Sequence, residues 1–383
     1  MKVVMTQANL TLKGGAERVL LKIAQHYDTP IYTAEYDAEG TFPEFKDLDV
    51  EVIGKNKAFR LLPYGRAAQG LNYGLSFYGF KITEDYDVIN AHIAPSHWIR
   101  NKNPGVLWYC HTPLREVWDM YRYRLSLKKG YQKPVYIAGA GAVRFVDQRM
   151  AKKAEVILAN SENTRSRIVK YFGREDAEVL NGGIEYETYR NDGNDKYFFY
   201  PSRFSPNKRQ LYAIEAFKRF KKKKKGYKLV LGGALSKDRF YYNYYLKVVD
   251  AAKKTGDVQI ITDYEEDRYR DLMARATAIL YTPINEDYGL IPMEAMSSRK
   301  PIIAVNEGGP KETVDNGETG FLVNSEEEMA EKMQYVAEHP SIAKEMGKKG
   351  IATVRKKYSW ANFFRVFDKK LAKTVKIREE YEK

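Results

Sequence analysis

Glu286 and Glu294 stand with seven residues between them in "NEDYGLIPMEAM" (Asn285–Met296). Two carboxylates at such spacing can work as an acid–base pair, bind neighbouring hydroxyls, or simply flank a core segment. A carboxylate accepts paired hydrogen bonds from vicinal hydroxyls such as those of a ribose or hexose. A second charged pair lies upstream in "YPSRFSPNKRQ" (Tyr200–Gln210), where Arg203 precedes Lys208 by five residues. Two fixed cations can grip a diphosphate, the guanidinium bidentately and the ammonium as a point charge. Gly14 and Gly15 in "LKGGAERVLL" (Leu12–Leu21) open a helical pattern after the first apolar run. Backbone N–H groups exposed by glycines at a helix N-terminus suit an anion. The pair lacks the Gly-x-Gly-x-x-Gly of a dinucleotide site and the Gly-Lys-Ser/Thr of a P-loop. His111 closes the apolar run "GVLWYCH" (Gly105–His111), a position open to a structural or a ligand-facing imidazole.

These residues need elements that put them in one place. Buried-strand runs include Lys2–Gln7, Tyr86–His92, Gly105–His111 and Glu155–Ser161. Helical patterns fall between them, as in Ala16–Tyr27 and Glu162–Gly173. The alternation restarts with strand runs Lys196–Ser202, Tyr227–Gly233, Val258–Asp263, Thr277–Pro283 and Lys300–Val305, with helices over Arg209–Phe220 and Glu266–Ala276. Strands alternating with helices twice over predict two doubly wound α/β domains. The Gly-, Asn- and Asp-rich stretch Asn181–Lys196 is the expected boundary. Arg203, Lys208 and Glu286 then fall at the C-terminal edge of the second sheet, where open α/β sheets bind ligands. Glu294 falls one turn into the following helix. "NEGGPKETVDNGETGFLV" (Asn306–Val323) adds a backbone-exposing Gly308–Gly309–Pro310 loop before another helix.

The bulk numbers agree with two domains. The chain has 383 residues, more than one core usually holds. Its single cysteine, Cys110, excludes an intramolecular disulfide and a multi-cysteine metal site. No apolar run reaches the length of a membrane span, and "MKVVMTQANL" reads as a first strand, so a cytoplasmic chain is expected. A net charge of +14 calls for an anionic partner: nucleic acid, anionic lipid or a phosphorylated metabolite. The lysine run Lys218–Lys228 reads as a solvated helix end. The segment Leu114–Tyr136 mixes Arg and Lys with Trp and Tyr, suiting either an aromatic helical hairpin or a membrane surface.

Taken in order, "GGAERVL", "ILANSENTRSRI", "SRFSPNKRQ", "NEDYGLIPMEAM", "NEGGPKETVDNGETGFLV" and the final "YSWANFF" (Tyr358–Phe364) resemble the retaining nucleotide-sugar glycosyltransferases of family 4. The resemblance implies the GT-B fold: two Rossmann-like domains facing across a cleft. It places an acceptor domain at 1–185, a nucleotide-sugar donor domain at 186–357, and a helical segment at 358–383 returning toward the first domain. It further implies that Arg203 and Lys208 hold the donor diphosphate. Glu286 then lies near the hydroxyls of the transferred sugar and Glu294 near those of the ribose. The backbone of Tyr288, Gly289 and Leu290 meets sugar or phosphate, Gly14 and Gly15 belong to the loop that closes on the phosphate, and His111 contacts the sugar near the reaction centre.

Some positions depart from the family pattern. Tyr288 stands where phenylalanine is usual, and "SSRKP" puts Arg299 where a glycine usually ends the helix. "LNGGIE" (Leu180–Glu185) replaces a His-Pro-Gly-Val-Asp element.

The expected reaction is hexose transfer with retention, needing no cofactor beyond the donor and no metal. "DLD" (Asp47–Asp49) copies a metal-binding triplet but sits in a charged turn before a strand. "YCHTPLREVWD" most resembles the mannosyltransferase-like branch, which makes GDP-mannose the first expectation. A glycan or lipid-linked acceptor, with peripheral contact to an anionic membrane and no nucleic acid, completes the expectation. Two alternatives compete: another GT-B-fold sugar enzyme, an epimerase or phosphorylase, and a degenerate scaffold binding RNA or membrane.

Overall fold

The computed structural model describes residues 1–54, 65–236 and 238–382. The chain forms two compact units: Met1–Gly182 together with the segment from Phe363 onward, and Gly183–Asn362.

The first unit is built on seven described strands: β1 (Val3–Gln7), β2 (Ile31–Thr33), β3 (Val50–Val52), β4 (Val88–Ala91), β5 (Val106–Cys110), β6 (Val156–Ala159) and β7 (Glu178–Val179). They run parallel in the order β3-β2-β1-β4-β5-β6-β7. The second unit holds β8 (Tyr197–Pro201), β9 (Lys228–Gly232), β10 (Val258–Ile261), β11 (Ala278–Tyr281), β12 (Ile302–Val305) and β13 (Gly320–Val323). Their order is β10-β9-β8-β11-β12-β13, again parallel. Both are doubly wound sheets, which bind ligands where the winding reverses, between β1 and β4 and between β8 and β11.

The central strands are apolar because helices cover both faces. Val156–Ala159 and Tyr197–Pro201 are buried at every position. Each unit has its own packed interior, with Trp108 and Phe172 in the first and Phe198, Phe217 and Phe220 in the second. β2 and β7 are too short to leave a pattern, and the sequence reading missed them. In the second unit the lysine run lies where expected, closing the helix Gln210–Lys223 and leading into β9. Leu114–Tyr136 is a loop, a helix Tyr121–Ser126, a turn Gly130–Gln132, and the start of a longer helix Lys133–Lys153. Among the described residues, no helix is long and apolar enough to cross a membrane.

Candidate functional site

The winding reversal of the second sheet brings together residues that are 78 apart in sequence. After β8 the chain turns through the single helical turn Pro206–Lys208 and enters Gln210–Lys223. After β11 it loops through Asn285–Tyr288 and enters the helix Leu290–Ser297. Lys208 Nζ lies 2.5 Å from Glu286 Oε2, with the side chains 15% and 22% exposed. The proposed diphosphate lysine and the proposed sugar carboxylate thus share one ion pair. Arg203 is exposed, and its guanidinium makes no ion pair or hydrogen bond among the described residues. Glu294, 5% exposed, accepts from the Tyr269 hydroxyl. Tyr269 stacks on Tyr264 with ring centroids 6.0 Å apart. Burial first, and then the Glu294 charge, push the Tyr269 hydroxyl well above its ordinary pKa. It remains a proton donor to the carboxylate.

Two residues the sequence reading did not single out strap this edge together. Arg209 donates from Nε to the Thr282 carbonyl at 2.6 Å and from its terminal nitrogen to the Pro283 carbonyl at 3.3 Å. It also pairs with Glu307 at 3.0 Å. Glu307 in turn accepts from the Asn285 backbone N–H at 3.2 Å. Thr282 Oγ1 donates toward the Lys208 and Arg209 carbonyls, each at 3.0 Å. One arginine therefore ties the loops after β8, β11 and β12. Arg209 and Glu307 each sit inside a stretch quoted for its neighbours. Tyr269, 25 residues upstream of Glu294, lies in the helix predicted over Glu266–Ala276, where its type and spacing single it out for no role.

The Gly308–Gly309 loop has a steric reason. Gly308 has φ +59°, and a Cβ there would sit 2.4 Å from the Glu286 carbonyl oxygen. A Cβ on Gly309 would meet the Tyr288 carbonyl oxygen at 2.2 Å. The Gly309 N–H donates to that Glu286 carbonyl at 2.8 Å. The glycines thus hold the loop carrying Glu286 rather than merely exposing backbone. Asn285, at φ +42°, takes the left-handed conformation that asparagine tolerates better than most residues. Gly289, at φ +83°, precedes the first helical residue, Leu290. Tyr288 is buried, its hydroxyl 3.2 Å from the Met293 sulfur.

Arg299 resolves one expected departure. It is left-handed at φ +53°, where glycine would fit best. The Lys300 N–H reaches the Ala295 carbonyl at 2.9 Å and the Arg299 N–H reaches Met296 at 3.0 Å. This is the two-bond helix stop usually made with glycine, built here on arginine.

In the first unit, Gly15 begins the helix Gly15–Tyr27 and Gly14 precedes it. The Glu17 carboxylate lies beside Gly14, since a Cβ on that glycine would fall 2.4 Å from Glu17 Oε2. An acid in the first turn already answers part of the helix dipole. His111 follows β5 and is 8% exposed. Its Nε2 lies 3.0 Å from Nδ1 of His92, and His92 Nε2 lies 2.7 Å from Asn90 Oδ1. Burial drives the His111 pKa down to about 3 and that of His92 well below the ordinary histidine range. Both shifts favour the neutral ring at neutral pH. Asp47 ends a short helical turn and Asp49 precedes β3. Among the described residues, no three or more His, Cys, Asp or Glu side chains cluster as a metal site.

Comparison with known proteins agrees with this architecture. Residues 13–188 match the model described as Glycosyltransferase Family 4, and residues 185–353 match that of Glycosyl transferases group 1. Human Alpha-1,3/1,6-mannosyltransferase ALG2 is 26% identical over 384 residues, covering 90% of each chain. Trehalose synthase from Pyrococcus horikoshii is 30% identical over 260 residues, 66% of this chain and 60% of that one. The crystal structure of Anabaena HepE in complex with UDP-glucose superposes with a TM-score of 0.75 at 18% identity, covering 97% and 99%. Sucrose-phosphate synthase from Thermosynechococcus elongatus gives the same TM-score at 15% identity. Between them the two family models account for residues 13–353, and the chain is a GT-B glycosyltransferase.

Proposed function

We propose that this enzyme transfers a hexose, with retention, from a nucleotide-diphosphate sugar to a glycan or lipid-linked acceptor, and that the donor is GDP-mannose. The observation that carries the reading is the Arg203–Lys208–Glu286–Glu294 constellation at the winding reversal of the second sheet. That the ALG2 relatives are named as mannosyltransferases supports mannose as the sugar.

On this reading the bond from sugar C1 to the β-phosphate oxygen breaks and negative charge grows on the diphosphate. Arg203 and Lys208 stabilise it electrostatically, commonly the largest single contribution to such catalysis. The bond from C1 to the acceptor oxygen forms on the same face, and the acceptor proton passes to the departing phosphate oxygen. Glu286 positions the sugar hydroxyls and Glu294 the ribose. They are therefore not the acid and base of a glycosidase. Gly14, Gly15, Tyr288, Gly289, Leu290 and His111 keep the donor contacts that the resemblance assigns. Lys208 must leave Glu286, at least in part, to reach a phosphate.

The same reading includes peripheral contact with an anionic membrane from the first unit. Met120–Val146 carries six cations and no carboxylate. Tyr123, Leu127, Tyr131, Val135, Ile137 and Phe145 are exposed along it, Tyr131 at 73% and Phe145 at 67%. Arg124 is paired with Glu116, and Arg144 with the Val117 carbonyl, leaving Arg122, Lys128, Lys129 and Lys133 as the cations for lipid. Exposed apolar groups beside cations that pair with no carboxylate among the described residues suit the interface of an anionic bilayer. Vesicle flotation with and without anionic lipid tests this, and equal recovery from both would overturn it.

The transfer itself is tested by incubating the enzyme with GDP-mannose, UDP-glucose or ADP-glucose and a lipid-linked oligosaccharide. Proton NMR of the product linkage then reads the stereochemistry. An α-mannosyl product from GDP-mannose is expected. Product from another donor, or an inverted linkage, contradicts the proposal. Tight, salt-dependent RNA binding with no nucleotide binding would favour a degenerate scaffold instead.

A further inference from the structure

Behind His111 runs a chain of polar groups that the reaction above does not use. Asn90 and His92, two residues apart at the end of β4, project to the same side of the sheet, as i and i+2 positions do. Both are fully buried. Asn90 Nδ2 donates to the Leu107 carbonyl at 3.3 Å. That contact orients the amide, because the reversed amide would set its oxygen against a carbonyl that can only accept. Asn90 Oδ1 then faces His92 Nε2 at 2.7 Å, so this nitrogen carries a proton. A neutral His92 has its lone pair at Nδ1. His111 Nε2, 3.0 Å away, must donate to it. His111 is left with a lone pair at Nδ1, to which no group bonds among the described residues. Its backbone is held separately, its carbonyl accepting from Thr164 Oγ1 at 3.4 Å. Tyr109 closes over both rings, with centroids 5.7 Å from His92 and 5.0 Å from His111. No carboxylate takes part in these hydrogen bonds, so nothing there favours an imidazolium.

We propose that Asn90 and His92 are positioning residues that hold His111 as its Nε2–H tautomer, so that its Nδ1 accepts a hydrogen bond from a hydroxyl of the bound sugar. This rests on the assignment of His111 to the transferred sugar. It deepens that assignment, because a fixed acceptor can orient a hydroxyl but cannot donate to a phosphate oxygen. The direction runs Leu107, Asn90, His92, His111, hydroxyl, each group's proton state set by the one behind it. At metal sites, too, the group hydrogen-bonded to a histidine's other ring nitrogen sets its tautomer.

Long-range nitrogen–proton NMR of the full chain with labelled histidine reads the tautomers directly. There are five histidines, and single His92→Gln and His111→Gln variants assign the two. Both rings are expected neutral and protonated at Nε2. A proton on Nδ1 of His111, or a charged ring at neutral pH, overturns the proposal. This readout needs no substrate, so it stands or falls apart from the donor assignment, which GDP binding by wild type tests separately. A second variant, Asn90→Asp, keeps the acceptor at His92 but favours its imidazolium, which would turn His111 around to donate from Nδ1. Its turnover of GDP-mannose should fall about tenfold in kcat, the worth of one hydrogen bond, with GDP binding unchanged. Unchanged kcat with a reversed His111 tautomer would also overturn it.

Discussion

The two sheets have the same winding, yet their proposed ligand edges differ in kind. The edge of the second unit is ionic: Lys208 is paired with Glu286, Arg203 is exposed, and Arg209 with Glu307 braces the loops. That of the first unit, at His111, is neutral: two uncharged imidazoles and an amide in a fixed relay. The difference teaches which part of a donor each can serve. Charge develops on a leaving diphosphate and is best met by preorganised cations. A hexose is uncharged, and its hydroxyls are oriented by groups whose donor and acceptor roles are already set.

The sharpest break in this comparison is loss of a cation. Lys208→Ala should cost about 2.7–4 kcal/mol of transition-state stabilisation, a drop of roughly 10²–10³ in turnover, by analogy with an oxyanion-hole donor. Steady-state kinetics with GDP-mannose check it. Glu286→Gln separates the two roles of the pair: turnover falls, while GDP binding measured by calorimetry holds or tightens, because Lys208 is no longer neutralised. Weaker GDP binding in that variant would mean Glu286 supports the lysine rather than the sugar.

Gly308→Ala comes next. It places a Cβ on the Glu286 backbone at a positive φ, so a stability loss of about 1–3 kcal/mol is expected by chemical denaturation. Donor binding should weaken with it, since the Glu286 loop must shift.

The neutral edge has a pH signature. His92 and His111 have folded pKa values below their unfolded ones, about 3 in the case of His111. Above about pH 6.5 neither folded nor unfolded rings bind protons, and their contribution is complete. Below it the unfolded rings take up protons and the folded ones do not, so stability is lost as pH falls from about 6.5 toward 3. The slope is about 1.4 kcal/mol per pH unit for each ring. Urea unfolding between pH 7 and 5 should show a shallower slope in His92→Gln than in wild type; identical slopes would mean the ring is not held neutral. The smallest effect lies away from both edges. Arg299→Gly relieves a left-handed arginine and should stabilise by about 1 kcal/mol, read as a higher denaturation midpoint.

Much of this is legible in the sequence. Both sheets announced themselves as buried apolar runs, and the charged residues at the strand ends stood out by type and spacing. Arg299 was legible as an anomaly, and the structure shows that it keeps the glycine's hydrogen bonds and accepts the glycine's backbone. What could not be read depends on register between strands. Asn90 and His92 looked like the tail of one strand. Only the pairing of β4 with β5, Ala91 opposite Trp108, explains why His92 meets His111. Arg209 as a brace and Tyr269 as the donor to Glu294 likewise arise from side chains meeting across loops, which no local pattern encodes.

On the proposed reading Arg203 and Lys208 hold the diphosphate of a nucleotide sugar, with Glu286 at the sugar and Glu294 at the ribose. A thermal-shift screen of GDP-, UDP- and ADP-sugars against wild type and Arg203→Ala tests it most directly, because Arg203 is exposed and its loss should leave the fold intact. A shift of the wild type specific to GDP-mannose, abolished in Arg203→Ala, is the predicted result. Equal silence with every donor, or a shift that survives the substitution undiminished, would contradict it.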